Sequence, residues 1–143
     1  MILVKKHLTN HDGILMPKMD GDVGYDLVCS EDFILPPHGS ALTASIVPAG
    51  VSIKSPDGFF CQIVGRSSAA RRGIGVQTAI IDNGYTGPMF TCSWNMTDKP
   101  ILIRKGDRIA QVIFLPMYIF PIKVVDKLPD TTRRDAGFGS TGR

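Results

Sequence analysis

A chain of 143 residues, of which 43% are hydrophobic and 20% charged, has the size and composition of one globular domain with a packed core. Its formal net charge of +3, spread over isolated basic pairs, is too weak to indicate a nucleic-acid-binding surface. No apolar run approaches the ~20 residues that span a membrane, so neither nucleic acid nor a membrane is expected as a partner.

The cysteines bear on redox chemistry and compartment. Cys29, Cys61 and Cys92 are widely spaced, odd in number and without a C-x-x-C pair. This arrangement predicts neither a zinc site nor a disulfide framework. Reduced thiols are typical of intracellular proteins, and the N-terminal sequence lacks the apolar stretch of a signal peptide. We therefore predict a cytoplasmic protein.

Short β segments separated by glycine and proline run through most of the chain. The strand candidates, rich in Ile, Val, Phe and Thr, are residues 2–5, 33–35, 41–49, 51–54, 59–64, 89–94, 101–103, 108–115 and 119–125. Only residues 67–72 are predicted as a helix, because serines begin the segment and Gly73 follows it. Many short strands with regular turns predict an all-β sandwich, jelly roll or barrel.

The apolar pattern ends near Pro129. Without apolar residues at a regular spacing, the remaining segment cannot build a core. We therefore predict a β domain over residues 1–128 and a mobile C-terminal arm over residues 129–143.

The sequence Gly65-Arg66-Ser67-Ser68 lies where a predicted strand runs into the predicted helix. Free N–H groups at a helix N-terminus favour anions, and an arginine fork suits phosphate oxygens. The segment predicts an anion site. Taken alone, an ordinary serine N-cap explains it better.

The sequence from Ile81 to Tyr85 places a carboxylate beside a turn. Asn83-Gly84 favours a tight hairpin turn, so Asp82 should lie at a strand end, where it can contact water. Tyr85, three residues later, could pack against the face of a sugar. The alternative is an aspartate that only stabilises an Asx turn.

Two further segments are weak on their own. Asp26 follows Tyr25 in a predicted loop, and Lys105-Gly106-Asp107 leads into a strand that carries Gln111. Plain turns with surface charges explain both.

The final residues read R-R-D-A-G-F-G-S-T-G from Arg133 to Gly142. Glycines let backbone N–H groups approach a ligand closely, Arg133 offers a fork for phosphate, and Phe138 offers a flat face for a ring. These are the parts of a clamp for a nucleoside triphosphate. A disordered Gly/Ser tail is the alternative.

In this order and spacing, the five segments resemble the five motifs of the homotrimeric dUTP pyrophosphatase (dUTPase) family. The resemblance covers the chain almost end to end, through G-R-S-S, I-I-D-x-G-Y-x-G, G-D-R-I-A-Q and G-F-G-S-T-G. It implies a jelly-roll-like β barrel and a trimer whose three active sites lie between subunits, with the arm closing over a site. The implied reaction is hydrolysis of dUTP to dUMP and pyrophosphate, which keeps uracil out of DNA and supplies dUMP for dTMP synthesis.

The resemblance also implies residue roles. Asp82 would be the general base for the water that attacks the α-phosphorus. Tyr85 would stack under the deoxyribose and exclude a 2′-hydroxyl, and Ile81 would line the uracil pocket. Asp26 would belong to the supporting polar network. The residues implied at the phosphates are Arg66, Ser67, Ser68 and Gln111.

The resemblance implies further contacts from the arm. There Arg133 would grip the γ-phosphate, Phe138 would stack on uracil, and Gly139, Ser140 and Thr141 would close on the terminal phosphate. Mg²⁺ would be held by substrate phosphates and waters, with no dedicated protein ligands.

Two alternatives remain open. The dCTP deaminase family shares this fold but needs a glutamate ten positions after Asp82, where this chain has Cys92. A nucleotide-sensing protein on the same scaffold would lose Asp82 or the arm, and this chain keeps both. Departures from the family pattern at Val23, Ala79, Pro88 and residues 134–136 leave the assigned residues intact but bear on how the arm closes.

Overall fold

The computed structural model describes residues 1–17, 19–40 and 44–131. Short strands make up most of the regular structure there. In chain order the elements are β1 (Leu3–Lys6), β2 (Ile14–Leu15), β3 (Tyr25–Leu27), β4 (Phe33–Leu35), β5 (Ser45–Lys54), β6 (Phe59–Gly65), α1 (Ser67–Arg71), β7 (Ile74–Val76), β8 (Ala79–Ile81), β9 (Pro88–Asn95), β10 (Ile101–Ile103) and β11 (Ala110–Pro116).

The strands form three antiparallel sheets. Four strands follow the order β1-β5-β9-β7, five follow the order β2-β3-β11-β6-β8, and β10 pairs with β4. Within the described residues none of these sheets closes on itself into a barrel. The all-β prediction with one short helix is therefore confirmed, and the architecture is one of open sheets around a shared core.

The core follows from the alternation of side chains along each strand. In β9, Met89, Thr91 and Ser93 point inward and are buried, whereas Phe90 and Trp94 point outward. Inward side chains of both large sheets meet in one cluster, with Val47 and Met89 from the four-stranded sheet, Ile63 and Val112 from the five-stranded sheet, and Leu35 from β4. Burial of these apolar side chains is the main stabilising contribution.

Most strand predictions agree with the structure to within two residues, and those for β4 and β10 match its bounds. The prediction of two separate strands at residues 41–49 and 51–54 is wrong. The chain forms a single strand, β5, because an irregularity in its register with β9, between Pro48 and Ser52, accommodates Pro48 and Gly50 without ending the strand. Residues 41–43 lie outside the described part of the chain.

The prediction of a strand at residues 119–125 is wrong. Beyond β11 the described chain continues to residue 131 without regular structure. A strand needs a neighbour to accept its backbone hydrogen bonds, and no described strand of this chain lies beside it. The apolar side chains of this segment are exposed, among them Ile119 (81%), Phe120 (77%) and Ile122 (94%).

The described part of the chain contains no helix long and apolar enough to cross a membrane.

Candidate active site

Asp82 lies where the chain leaves the edge of the five-stranded sheet. Strand β8 pairs with β6, with Ile81 opposite Cys61, and the chain turns directly after Ile81. The Tyr85 N–H donates to the Asp82 carbonyl at 3.0 Å, which closes a turn that we call the base turn (residues 82–85). The predicted position of Asp82 at a strand end is confirmed.

The predicted hairpin is wrong, although the turn exists. The next strand, β9, belongs to the other large sheet, so β8 and β9 do not pair. The base turn therefore carries the chain from one sheet to the other. Asp82 is exposed, and within the described residues its carboxylate makes no hydrogen bond or ion pair. It is free to contact water.

A cavity of about 350 Å³ lies beside the base turn. We call it the tyrosine cavity. The lining residues that matter for chemistry are Gln77, Ile81, Asp82, Tyr85, Phe90 and Cys92. Its volume falls within the range of small-molecule sites. The structure thus brings three predicted residues, Ile81, Asp82 and Tyr85, to one cavity.

The ring of Tyr85 is held by two contacts. Its hydroxyl donates to the Pro88 carbonyl at 2.9 Å. A Cβ added to Gly87 would lie 2.5 Å from that hydroxyl oxygen, so only glycine leaves room for the ring. The ring is therefore positioned before any ligand arrives.

Sequence reasoning did not assign a role to Gln77. It sits on the short link between β7 and β8, where its N–H donates to the Cys92 carbonyl at 2.8 Å. Its side-chain amide lines the tyrosine cavity and donates to the Thr78 carbonyl at 3.1 Å. A single amide between two short strands gives no recognisable local pattern, so the sequence offered no signal for it.

A second cavity, of about 510 Å³, lies at the other end of the same sheet. We call it the arginine cleft. Its polar lining consists of Asp22, Asp26, Arg66, Arg108 and Gln111. Gln111 on β11 is opposite Asp26 on β3, which explains why two segments distant in sequence meet here.

Asp26 binds two arginines at once. Its Oδ1 accepts from Arg66 Nε at 2.9 Å, and its Oδ2 accepts from Arg108 Nη1 at 3.2 Å. Arg66 Nη1 also donates to the Arg108 carbonyl at 3.1 Å. These bonds are charge-assisted, and they fix the Arg66 guanidinium at the cleft. The prediction that Asp26 belongs to a supporting network agrees with this geometry, whereas Arg108 was not assigned a role from the sequence.

The Gln111 side chain packs against Gly24. A Cβ at Gly24 would lie 2.0 Å from Gln111 Oε1, so a larger residue there would displace the amide. The glycine is thus part of what positions Gln111 in the arginine cleft.

The serines of the helix do not cap it. The N-cap residue of α1 is Arg66, and no side chain caps the helix. Ser67 and Ser68 are exposed in its first turn and line neither cavity. The alternative of a serine N-cap is therefore wrong, and the structure leaves both hydroxyls accessible.

The arm residues Arg133, Phe138, Gly139, Ser140 and Thr141 lie outside the described residues. In the described part of the chain no group of three His, Cys, Asp or Glu side chains could hold a metal ion.

Comparison with known proteins identifies the family. The family model described as dUTPase matches residues 11–142. The deoxyuridine 5′-triphosphate nucleotidohydrolase of Paramecium bursaria Chlorella virus 1 is 38% identical over 142 residues, which cover 99% of this chain and 97% of the viral protein. The chain belongs to the dUTPase family. Among curated members, the nucleotidohydrolase of Hydrogenobaculum is 34% identical over 99% of both chains.

Solved dUTPases confirm the fold. The dUTPase of Staphylococcus bacteriophage 80alpha, solved with dUpNHpp, superposes with a TM-score of 0.88 at 22% identity, covering 100% of this chain and 99% of the phage chain. The D95N mutant of the dUTPase of phage phi11, which coordinates a structural Mg(II) ion, superposes with a TM-score of 0.79 at 19% identity. The match covers 89% of this chain and 97% of the phage chain.

The two cavities that carry dUTPase motif residues are far apart in one chain. Asp82 follows Ile81, which pairs with Cys61 near the start of β6, whereas Arg66 follows Gly65 at its end. About six residues of strand, each rising ~3.3 Å, put roughly 20 Å between them. The two cavities share no lining residue.

Proposed function

We propose that this protein hydrolyses dUTP to dUMP and pyrophosphate, with Asp82 as the general base. The observation that carries the proposal is an unpaired, exposed carboxylate at the rim of a cavity whose tyrosine is already held in place. The family relatives are named for this reaction. The reaction would keep uracil out of DNA and supply dUMP for dTMP synthesis.

The chemistry follows from the exposed position of Asp82. Its carboxylate accepts a proton from a water molecule as the water oxygen bonds to the α-phosphorus. The bond from that phosphorus to the bridging oxygen breaks, and pyrophosphate leaves with the electron pair. Uracil and deoxyribose occupy the tyrosine cavity, where Ile81 packs on the base and Tyr85 under the sugar, which leaves no room for a 2′-hydroxyl.

The phosphates belong in the arginine cleft. Two arginines and two aspartates line the cleft, so its formal charge is zero, and the Arg66 and Arg108 guanidiniums supply the positive charge that faces the phosphates. Arg66 is held in orientation before substrate binds, and such preorganised charge stabilises developing negative charge most effectively. Gln111 adds an amide donor, Ser67 and Ser68 add hydroxyls, and the arm adds Arg133, Phe138, Gly139, Ser140 and Thr141.

The residues present fit Mg²⁺ carried by the substrate rather than by a protein cage. The described chain has no three-residue metal cluster, and both oxygens of Asp26 already bind arginines. Asp22, exposed at the same cleft, is a carboxylate suited to accept hydrogen bonds from metal-bound water. When bound, the ion would neutralise charge on the triphosphate.

The separation of the two cavities supports a composite site. Roughly 20 Å of backbone separates Asp82 from Arg66 in one chain, which favours a site in which the α-phosphorus lies at Asp82 of one subunit and the phosphate oxygens at Arg66 of another. We therefore propose a homotrimer in which Asp82 and Arg66 of one site come from different subunits. The exposed apolar segment 117–128 supports association, since a monomer would leave it in water.

Subunit mixing tests the composite site. Asp82→Asn and Arg66→Ala homotrimers should each be nearly inactive. After unfolding and refolding together in equal amounts, about a quarter of the sites should hold both native residues and regain activity. Failure to regain activity, with the mass of a trimer shown by light scattering, would mean that both residues act within one chain.

Isotope labelling tests the base and the point of attack. In H₂¹⁸O the label should enter dUMP and not pyrophosphate, because water attacks the α-phosphorus. Asp82→Asn should retain dUpNHpp binding and lose about 10²- to 10⁴-fold in kcat. The matched control is Asp57→Asn, an exposed turn aspartate, which should keep wild-type rates. Label in pyrophosphate, or full activity of Asp82→Asn, would contradict the proposal.

A further inference from the structure

The base turn is tied to the neighbouring loop by the side chain of one residue, Asn83. Asn83 Nδ2 donates to the Pro56 carbonyl at 2.7 Å and to the Phe59 carbonyl at 2.7 Å. The Pro56 carbonyl belongs to the connection between β5 and β6, and the Phe59 carbonyl belongs to the first residue of β6. The amide therefore spans two parts of the chain that are 24 and 27 residues away in sequence.

Lys54, the last residue of β5, completes the contact. Its Nζ donates to Asn83 Oδ1 at 2.7 Å and to the Asn83 carbonyl at 3.1 Å. Its side chain is 35% exposed, and the carboxylate of Asp57 lies 3.8 Å away. Together, Asn83, Lys54 and the two carbonyls form what we call the asparagine clamp.

Little else holds the base turn. Strand β8 has three residues and lies at the edge of its sheet, so it is hydrogen-bonded on one side only. Within the turn the backbone hydrogen bond from Tyr85 to Asp82 fixes its shape but not its position relative to β6. By contrast, the loop behind the clamp is anchored by the buried Ser55 and by the Phe59 N–H donating to the Pro56 carbonyl at 3.1 Å.

We propose that Asn83 is a positioning residue which, with Lys54, sets the place of the Asp82 carboxylate relative to the bound nucleotide. The inference rests on the proposed role of Asp82 as base. Asn83 itself contacts neither the substrate cavity nor the reacting atoms; its side chain points to the loop. Tyr85, at the other end of the turn, is held separately by the Pro88 carbonyl, so we expect the effect of Asn83 on the chemical step rather than on binding.

The size of the effect follows from the geometry of proton transfer. A displacement of about 1 Å in a reacting group can cost about 100-fold in rate. Asn83→Ala removes three side-chain hydrogen bonds of the clamp and leaves the turn's own backbone bond intact. We expect a loss of about 10- to 100-fold in kcat.

The experiment measures kcat and KM for dUTP, and the Kd for dUpNHpp, on the full chain. Asn83→Ala and Lys54→Met should both lower kcat, while KM and Kd stay within about 2-fold of wild type. The double variant should lose little more than Asn83→Ala alone, since both changes break one clamp. Asp57→Ala is the matched control in the same loop. It removes only the 3.8 Å ion pair between Lys54 and a fully exposed carboxylate, which contributes little, and keeps the hydrogen bonds of the clamp, so it should not alter kcat.

Several outcomes would overturn the inference. If Asn83→Ala and Lys54→Met keep wild-type kcat while Asp82→Asn is inactive, the clamp does not position the base, although the proposed function stands. A rise in KM and Kd with kcat unchanged would assign the clamp to binding instead. Should Asn83→Ala not fold, Lys54→Met decides the question, because it leaves the turn sequence unaltered. An active Asp82→Asn would remove the base assignment and the inference with it.

Discussion

At the scale of single residues, the charge on Asp26 is what holds the two arginines of the cleft. We expect Asp26→Asn to lower kcat/KM for dUTP by at least about 10-fold, because a neutral amide cannot accept charge-assisted bonds from both Arg66 and Arg108. Steady-state kinetics and thermal unfolding on the same samples separate this effect from misfolding.

A second aspartate–arginine pair serves as the control. Asp107 contacts Arg72 at 3.1 Å but lines neither cavity. Asp107→Asn should leave kcat/KM within about 2-fold, as expected when a partly exposed ion pair contributes little. Equal losses in both variants would show that the effect of Asp26 is structural.

The buried thiol of Cys29 makes the free energy of unfolding depend on pH. Burial, with the nearby Asp107 carboxylate, raises the pKa of Cys29 from 9.0 to about 11. Between these values the unfolded chain releases the thiol proton and the folded protein keeps it, so stability is fully present below pH 9 and is lost as pH rises towards 11. The loss for this one group is at most about 3 kcal/mol.

Urea unfolding of the wild type and of Cys29→Ala, each at pH 8 and pH 10.5, measures this loss. The difference in unfolding free energy between the two proteins should shrink by about 2 kcal/mol at the higher pH. The same pH dependence in both proteins would exclude Cys29 as a source.

Site residues differ in how far the sequence could predict them. Asp82 stands in a local pattern, a turn after a strand, so its position could be anticipated. Asp26 was predicted in a loop, and that prediction is wrong, because pairing with β11 places it on the short strand β3. Gln77, Arg108 and Lys54 act through partners that only the fold brings near, such as Lys54 and Asn83, 29 residues apart. Such contacts have no local signature.

At the scale of elements, the pairing of β7 with β9 depends on a glycine. Gly75 is opposite Trp94, and a Cβ at Gly75 would lie 2.2 Å from the indole ring. Gly75→Ala should displace the ring, which is the single tryptophan of the chain, and reduce the unfolding free energy by about 1–3 kcal/mol.

Tryptophan fluorescence and urea unfolding report this change together. Gly84→Ala is the control, because a Cβ there meets nothing within 4 Å. An unchanged emission spectrum with wild-type stability in Gly75→Ala would show that the ring can move at no cost.

The strand predictions show the limits of local pattern. Residues 33–35 and 101–103 were bounded by clear turn residues, and their ends agree with the structure. The two-residue β2 and the three-residue β3 and β7 are too short to show alternation and were missed. Residues 119–125 have strand-like composition, but a strand also requires a neighbour, and within the described chain there is none.

At the scale of the whole molecule, the arm and the β domain should be separable. Truncation after Asp130 removes the segment proposed to close over the phosphates but none of the core. We expect the truncated protein to keep its oligomeric mass and thermal stability and to lose most of its turnover of dUTP. Wild-type kcat in the truncated protein would remove the arm from the mechanism.

The arrangement of the open sheets and the exposure of the apolar segment 117–128 are also properties of the whole molecule. Sequence motifs predicted the family, which the comparisons show, and two sets of candidate site residues. They could not show that these sets lie at opposite ends of β6, because that depends on strand pairing between distant parts of the chain.

The most direct test of the account is pyrophosphate release from dUTP, UTP, dCTP and dTTP in parallel, with Mg²⁺ and with chelator. The account predicts rapid release from dUTP alone, abolished by chelator, because in the proposed site Tyr85 would exclude a ribose and the cavity beside Asp82 would take uracil. Tight binding of dUTP without release, or comparable release from UTP, would contradict it.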